Sequence, residues 1–201
     1  PGERGLGRCA GAFSEYALME QAEAIAMPST LSWEEAAAIP LTFLVAYDML
    51  ALQGRLRAGE WLLINGVSSG VGVASLQLGK VLGAKVIGTS GSSEKLKLLE
   101  ALGLDVGLCT RAADFAPAVM EATGRHGADL IVNTVGGSVF AENIRALAFE
   151  GRLATAKTLS LVGTVSLSGT SLHQALDWMG VDTGRDGEPG FTVSGALETA
   201  G

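Results

Sequence analysis

Apolar residues recur along this chain in two alternating rhythms, and the rhythms predict its elements. Trp61-Leu-Leu-Ile64 is a continuous apolar run, the pattern of a strand covered on both faces. Behind it, Val71, Ala74, Leu78 and Val81 recur at the spacing of one helix face, which predicts a helix from Val71 to Leu82. The alternation then repeats. Strands are expected at Lys85–Thr89, Asp105–Cys109, Asp129–Val135 and Arg152–Thr155, with helices at Ser93–Leu102, Asp114–Thr123 and Ser138–Phe149. Strands alternating with helices of this length imply an α/β fold with a doubly wound parallel sheet.

The ends follow other rules. Ala12 to Leu18 alternates like an edge strand or ribbon that needs a partner. Ser32-Trp-Glu-Glu35 is a capping box, so a helix should begin there, and Pro40 should start or kink a second helical run from Leu41 to Leu52. After Ala156 the periodicity decays into a stretch rich in Gly, Ser and Thr. There we expect a strand over Thr158–Leu167, a short helix over His173–Met179 and a polar loop over Thr183–Gly190. The chain therefore divides into residues 1–30, 31–156 and 157–201.

Composition narrows the classes. Of the 201 residues 48% are apolar and 17% charged, enough for a well-buried core. A net charge of −7 argues against a nucleic-acid surface, which would need a basic stripe. No apolar run is expected to reach the ~20 residues of a membrane span, and no leader-like start is visible, so a cytoplasmic protein is expected. A chain opening on Pro1 without methionine reads as a fragment. Cys9, Cys109, His126 and His173 have no zinc-ligand spacing, so no metal is expected.

Between the first strand and its helix lies Asn65-Gly-Val-Ser-Ser-Gly-Val-Gly72. A small-residue turn at a helix N-terminus presents bare backbone N–H groups to a phosphate, as in Rossmann-like dinucleotide sites. In open parallel sheets ligands bind beyond the carboxyl ends of the strands. Two further loops should converge there: Ser90-Gly-Ser-Ser-Glu-Lys95, where a ribose is normally read, and Asn133-Thr-Val-Gly-Gly137. An NAD site wants a carboxylate in the former. Between Leu82 and Ser93 there is none, while Thr89, Ser90, Ser92 and Lys95 offer hydroxyls and a positive charge, which suits the 2′-phosphate of NADPH.

From about Gly11 to Thr155 the chain resembles the zinc-independent quinone oxidoreductase and enoyl reductase branch of the medium-chain dehydrogenase/reductase superfamily. The resemblance rests on Ser32-Trp-Glu-Glu-Ala-Ala-Ala-Ile-Pro-Leu-Thr42, Ser69-Gly-Val-Gly72, Gly88-Thr-Ser-Gly91 with Lys95, Asn133-Thr-Val-Gly-Gly137 and Glu150-Gly-Arg-Leu153. It implies that Ser68, Ser69, Gly70, Val71 and Gly72 hold the pyrophosphate, that Ser90 and Lys95 read the 2′-phosphate, and that Thr42, Asn133, Thr134, Val135 and Gly136 lie near the nicotinamide. It also implies hydride transfer to a quinone or conjugated alkene, a small-molecule substrate and pairing as a homodimer. The family commonly has Ala at position 66 and Gly at 69; the Ser69 hydroxyl here either binds a phosphate or crowds it. Residues 1–30 would then be the remnant of a β-rich catalytic domain, and the helix that joins the last two strands in the family is absent. Ala156–Gly163 resembles the family's next sheet strand, and either Arg152–Thr155 and Ala156–Gly163 form one long strand or the sheet edge is rebuilt. No residue carries a catalytic assignment, and the alternative function is an NADPH-binding module without activity.

Overall fold

The computed structural model describes residues 5–6, 14–19, 21, 24–157, 161–166 and 192–194. The chain divides into two compact units, residues 1–45 and 46–201.

In the first unit β1 (Gly5–Leu6) pairs antiparallel with β2 (Ile25–Ala26). Residues 14–19 form no strand, so the edge strand expected over Ala12–Leu18 is not found there; Ala12 and Phe13 lie outside the described residues. The capping box is in place: Ser32 N donates to Glu35 Oε2 at 2.9 Å and Glu35 N donates to Ser32 Oγ at 3.2 Å. Helix α1 runs Trp33–Tyr47 with Pro40 inside it, and a π-helix follows at Asp48–Gln53. Pro40 thus starts no second helix. It removes one intrahelical donor, and the apolar run on either side carries the helix through. The helical run Trp33–Gln53 is 21 residues long, and by length and composition it could cross a membrane, against the expectation of no such stretch. It carries Glu34, Glu35 and Asp48, and Met49 and Leu50 at its end are fully buried within the second unit.

The second unit is one seven-stranded sheet in the order β5-β4-β3-β6-β7-β8-β9. The first five strands are parallel: β5 (Val106–Cys109), β4 (Lys85–Ser90), β3 (Trp61–Asn65), β6 (Ala128–Asn133) and β7 (Leu147–Lys157). The helices between them are α2 (Gly70–Val81), α3 (Ser93–Glu100), α4 (Ala116–Ala122) and α5 (Phe140–Ala146). Alternation along the strands divides the core. Leu63, Ile87, Ile131 and Leu153 pack with Phe115 and Val119 of the α4 segment and with Phe140 and Ile144 of α5. On the other face α2 lies so close that a Cβ on Gly79 would stand 2.7 Å from Leu62 Cδ2.

At the amino edge, carboxylates take backbone N–H groups at or just before the strand starts. Asp129 Oδ2 accepts from Trp61 N at 2.8 Å, Asp105 Oδ2 from Val86 N at 2.6 Å, and Glu60 Oε2 from Arg57 N at 2.9 Å. Each is also paired with a basic side chain: His126, Lys80 and Arg152 respectively for Asp129, Asp105 and Glu60.

The far edge is rebuilt rather than extended. β8 (Leu161–Ser166) returns antiparallel to β7, and β9 (Thr192–Ser194) pairs antiparallel with β8. A parallel crossover needs a dozen or more residues, and too few separate Lys157 from Leu161. The helix expected over Ser138–Phe149 is shorter: a 3₁₀ turn at Gly137–Val139, then α5 to Ala146. The chain enters β7 directly, with a bulge between the pairs Ala128–Leu147 and Leu130–Arg152, and Phe149 points outward at 81% exposure. The His173–Met179 and Thr183–Gly190 expectations lie outside the described residues.

Candidate functional site

β3 has β4 on one side and β6 on the other, and the loops leaving all three strands meet at its carboxyl end. The first loop is built around two glycines. Gly66 has φ +70, a left-handed conformation, and Gly72 lies against the turn so tightly that a Cβ there would collide with Gly66 O and stand 2.7 Å from Val67 Cα. Ser69 is the N-cap of α2, its Oγ accepting from Gly72 N at 3.1 Å. Ser69 N donates to Gly66 O at 2.9 Å and Val73 N to Ser69 O at 2.8 Å. The Gly70 and Val71 N–H groups remain as the uncapped donors at the start of α2. The Ser69 hydroxyl therefore faces the helix it caps, and the two bare N–H groups beside it are donors of the kind that an anion can take.

The second loop joins the first through hydroxyls. Thr89 Oγ1 accepts from Gly66 N at 3.2 Å, Thr89 O accepts from Val67 N at 3.0 Å, and the Ser68 and Ser90 hydroxyls are 3.0 Å apart. Ser90 Oγ also accepts from Ser92 N at 3.3 Å. Ser92 caps α3, accepting from Lys95 N at 3.3 Å, so Lys95 stands in the first turn of that helix with an exposed side chain.

The third loop is shaped by its own asparagine. Asn133 is buried, its Oδ1 accepting from Val135 N at 3.1 Å and Gly136 N at 2.9 Å, while Nδ2 donates to Gly136 O at 3.0 Å. These bonds end β6 at Asn133, two residues before the expected Val135, and occupy the amide in holding the turn. Thr134 Oγ1 donates to Asn65 O at 2.7 Å, and Val135 is half-exposed above Gly66. Ser68 to Gly72, Ser90, Lys95 and Asn133 to Gly136 thus gather at one sheet edge. Thr42 belongs to the first unit, where its Oγ1 donates to Ala38 O at 2.7 Å inside α1.

The profile of the zinc-binding dehydrogenase family matches residues 70–185, more than half of the chain. The chain belongs to the zinc-binding dehydrogenase family. Among relatives, it is 39% identical over 142 residues to a highly reducing polyketide synthase of Aspergillus terreus, covering 69% of this chain and 5% of that protein. It is 33% identical over 153 residues to the quinone oxidoreductase-like protein 2 homolog of Nematostella vectensis, covering 75% of this chain and 42% of the relative. Among solved structures, the CurK enoyl reductase has a TM-score of 0.66 at 29% identity, over 77% of this chain and 44% of that one. The mycobacterial protein Rv1454c, complexed with NADPH, has a TM-score of 0.74 at 28% identity, over 88% and 53%. An NAD-dependent alcohol dehydrogenase has a TM-score of 0.72 at 38% identity, over 84% and 48%.

The chain thus spans about half or less of the proteins it matches. Their likeness puts it in the quinone oxidoreductase and enoyl reductase branch of the medium-chain superfamily, with that superfamily's cofactor-binding fold. The family's zinc does not follow from its name: among the described residues no three His, Cys, Asp or Glu side chains are grouped to hold a metal ion.

Three residues beside these loops have no role assigned from the sequence. Asn65 and Asn143 form a buried pair, Asn65 Nδ2 donating to Asn143 Oδ1, and Asn65 Oδ1 accepts from Thr89 Oγ1 at 3.5 Å. Their signal is weak: two amides at the end of an apolar strand and within an apolar helix. Arg111, just past β5, reaches back to Gly91, and only strand register brings it there.

Proposed function

We propose that this chain is the cofactor-binding part of an NADPH-dependent reductase of the quinone or enoyl type. The observation that carries the reading is the joined pair of loops at the ends of β3 and β4. The Ser68 and Ser90 hydroxyls stand 3.0 Å apart beside the bare Gly70 and Val71 N–H groups at the start of α2, and no acidic residue occurs between Leu82 and Ser93. A carboxylate would accept from a ribose 2′-OH; hydroxyls with a nearby cation complement a phosphate instead. Similar structures include both an NADPH complex and an NAD-dependent enzyme, so the preference rests on this chain's own residues.

The residues present fit a dinucleotide. The Gly72 contact is a cradle that any Cβ would fill, and the Gly70 and Val71 N–H groups are placed to donate to pyrophosphate oxygens. The Thr134–Gly136 turn, held by Asn133, supplies backbone and the Val135 side chain at the same edge, where they would orient the nicotinamide ring. The nicotinamide, when bound, supplies the hydride for a quinone or conjugated alkene, and the protein supplies position and electrostatics.

The alternative reading is an NADPH-binding module without turnover of its own. Calorimetric titration with NADPH and NADH tests both readings, and a chain that binds neither at millimolar concentration refutes them. NADPH oxidation in the presence of quinones or enoyl thioesters then separates enzyme from module.

A further inference from the structure

The geometry points to Arg111, rather than Lys95, as the residue by which this chain distinguishes a 2′-phosphate from a bare ribose. This rests on the NADPH reading above and names the group that enforces it.

The ladder between β4 and β5 fixes the backbone on which Arg111 stands. Ser90 is paired with Cys109, and Thr110 N donates to Ser90 O at 2.9 Å, so Arg111 comes one residue beyond the last strand contact. The next turn is also tied down. Thr110 Oγ1 donates to Asp114 Oδ1 at 2.7 Å and accepts from Ala112 N at 3.0 Å, which engages the Asp114 carboxylate with a hydroxyl. From there the arginine lies across the ribose-side loop. Its Nε donates to Gly91 O at 3.4 Å, and a Cβ on Gly91 would collide with Nε and stand 2.6 Å from Cγ. Only glycine leaves room for the arginine stem at that point.

The guanidinium is otherwise uncommitted. Arg111 is exposed and forms no ion pair among the described residues, so its terminal N–H groups are open to a ligand. It touches Gly91, between Ser90 and Ser92, whose hydroxyls already line the loop. Lys95 enters the same loop through its backbone, donating to Ser92 Oγ. A planar fork suits a phosphate better than a mobile ammonium does.

The test is calorimetric titration of the full chain with adenosine 2′,5′-bisphosphate and with 5′-ADP. The wild-type chain is expected to bind the bisphosphate more tightly. Arg111→Gln should weaken the bisphosphate by about 10- to 100-fold and leave 5′-ADP unchanged, the loss of a charge-assisted hydrogen bond to one phosphate. Lys95→Gln should cost less than about threefold, within the range of an exposed charge. Gly91→Ala keeps every charge but displaces the arginine stem, and it should reproduce the Arg111→Gln loss, whereas Arg111→Lys should recover part of it. A bisphosphate preference that survives Arg111→Gln and disappears in Lys95→Gln overturns the assignment while the NADPH reading stands. A wild-type chain that binds both nucleotides equally overturns the NADPH reading itself, and with it the role of Arg111.

Discussion

Replacing Gly72 by alanine tests whether the turn before α2 is a rigid cradle. The new Cβ would collide with Gly66 O and stand 2.7 Å from both Val67 Cα and Val67 C, with ordinary contact beginning near 3.4 Å, so turn and helix must part by at least about 0.7 Å. The turn has little freedom to yield. Gly66 N is bonded to Thr89 Oγ1, Gly66 O to Ser69 N, and Val67 N to Thr89 O, while Val67 itself is fully buried. Overpacking of this kind costs about 1–3 kcal/mol. Better helix propensity offsets at most about 1 kcal/mol of that. We expect a net loss of about 1–2 kcal/mol in urea unfolding, with NADPH affinity falling at least tenfold because the donors at Gly70 and Val71 move with the turn. Two controls calibrate the result. In Gly79→Ala the Cβ meets the flexible tip of Leu62 at 2.7 Å, so stability should fall by less and nucleotide binding should hold. In Gly137→Ala it meets nothing within 4 Å and should be neutral. If Gly72→Ala unfolds at the Gly137→Ala midpoint and binds NADPH normally, the cradle argument is wrong.

Thr89→Val keeps the shape but removes the acceptor of Gly66 N; we expect a loss of about 1–3 kcal/mol in thermal unfolding and weaker NADPH binding by calorimetry. Glu142→Ala strips the buried acceptor from Ala116 N, held at 2.8 Å, and should destabilise by about 1–3 kcal/mol while leaving nucleotide affinity unchanged, because it lies on the α4–α5 side of the sheet. The Glu34 carboxyl is held below its ordinary value, first by a hydrogen bond from its own backbone N–H and then by Ser32, against a small opposing effect of desolvation. Its contribution to the start of α1 is therefore complete above the ordinary glutamate range and lost as pH falls through the lowered value. An NMR titration should show a Glu34 midpoint below that of a free glutamate, and Ser32→Ala should raise it.

What could be read in the sequence was local, and what escaped was set by register. The turn at Gly66–Gly72 announces itself because glycine spacing, the apolar run before it and the helical period after it all fall within about 20 consecutive residues. The capping box at Ser32–Glu35 is legible for the same reason. Arg111 meets a residue 20 positions earlier and Asn143 one 78 positions earlier, and no periodicity encodes that. The α5 boundary failed differently. Phe140 and Phe149 are both apolar, yet one is buried at 6% exposure and the other is open at 81%, because the chain leaves the helix at Ala146 and bulges into β7. Periodicity, with Phe140, Ile144 and Leu147 on one face, carries the expected helix on to Phe149. The antiparallel return of β8 was partly legible: too short a link excluded a crossover, but not which remaining arrangement the edge would take.

The carboxylates at the amino edge bear on how an anionic nucleotide would reach a chain with a net charge of −7. Glu60, Asp105 and Asp129 are bonded at the starts of strands, each with a basic partner. Five residues of β3 separate that edge from the loops at Asn65, a length of about 17 Å. At physiological salt that is about two Debye lengths of ~8 Å. Those three carboxylates therefore contribute little at the mouth of the proposed site, where Arg111, Lys95 and the bare amides of α2 stand beside Glu94. Added salt should slow nucleotide association to this acidic protein, as it does for an attracted pair, where net charge alone would have it accelerate.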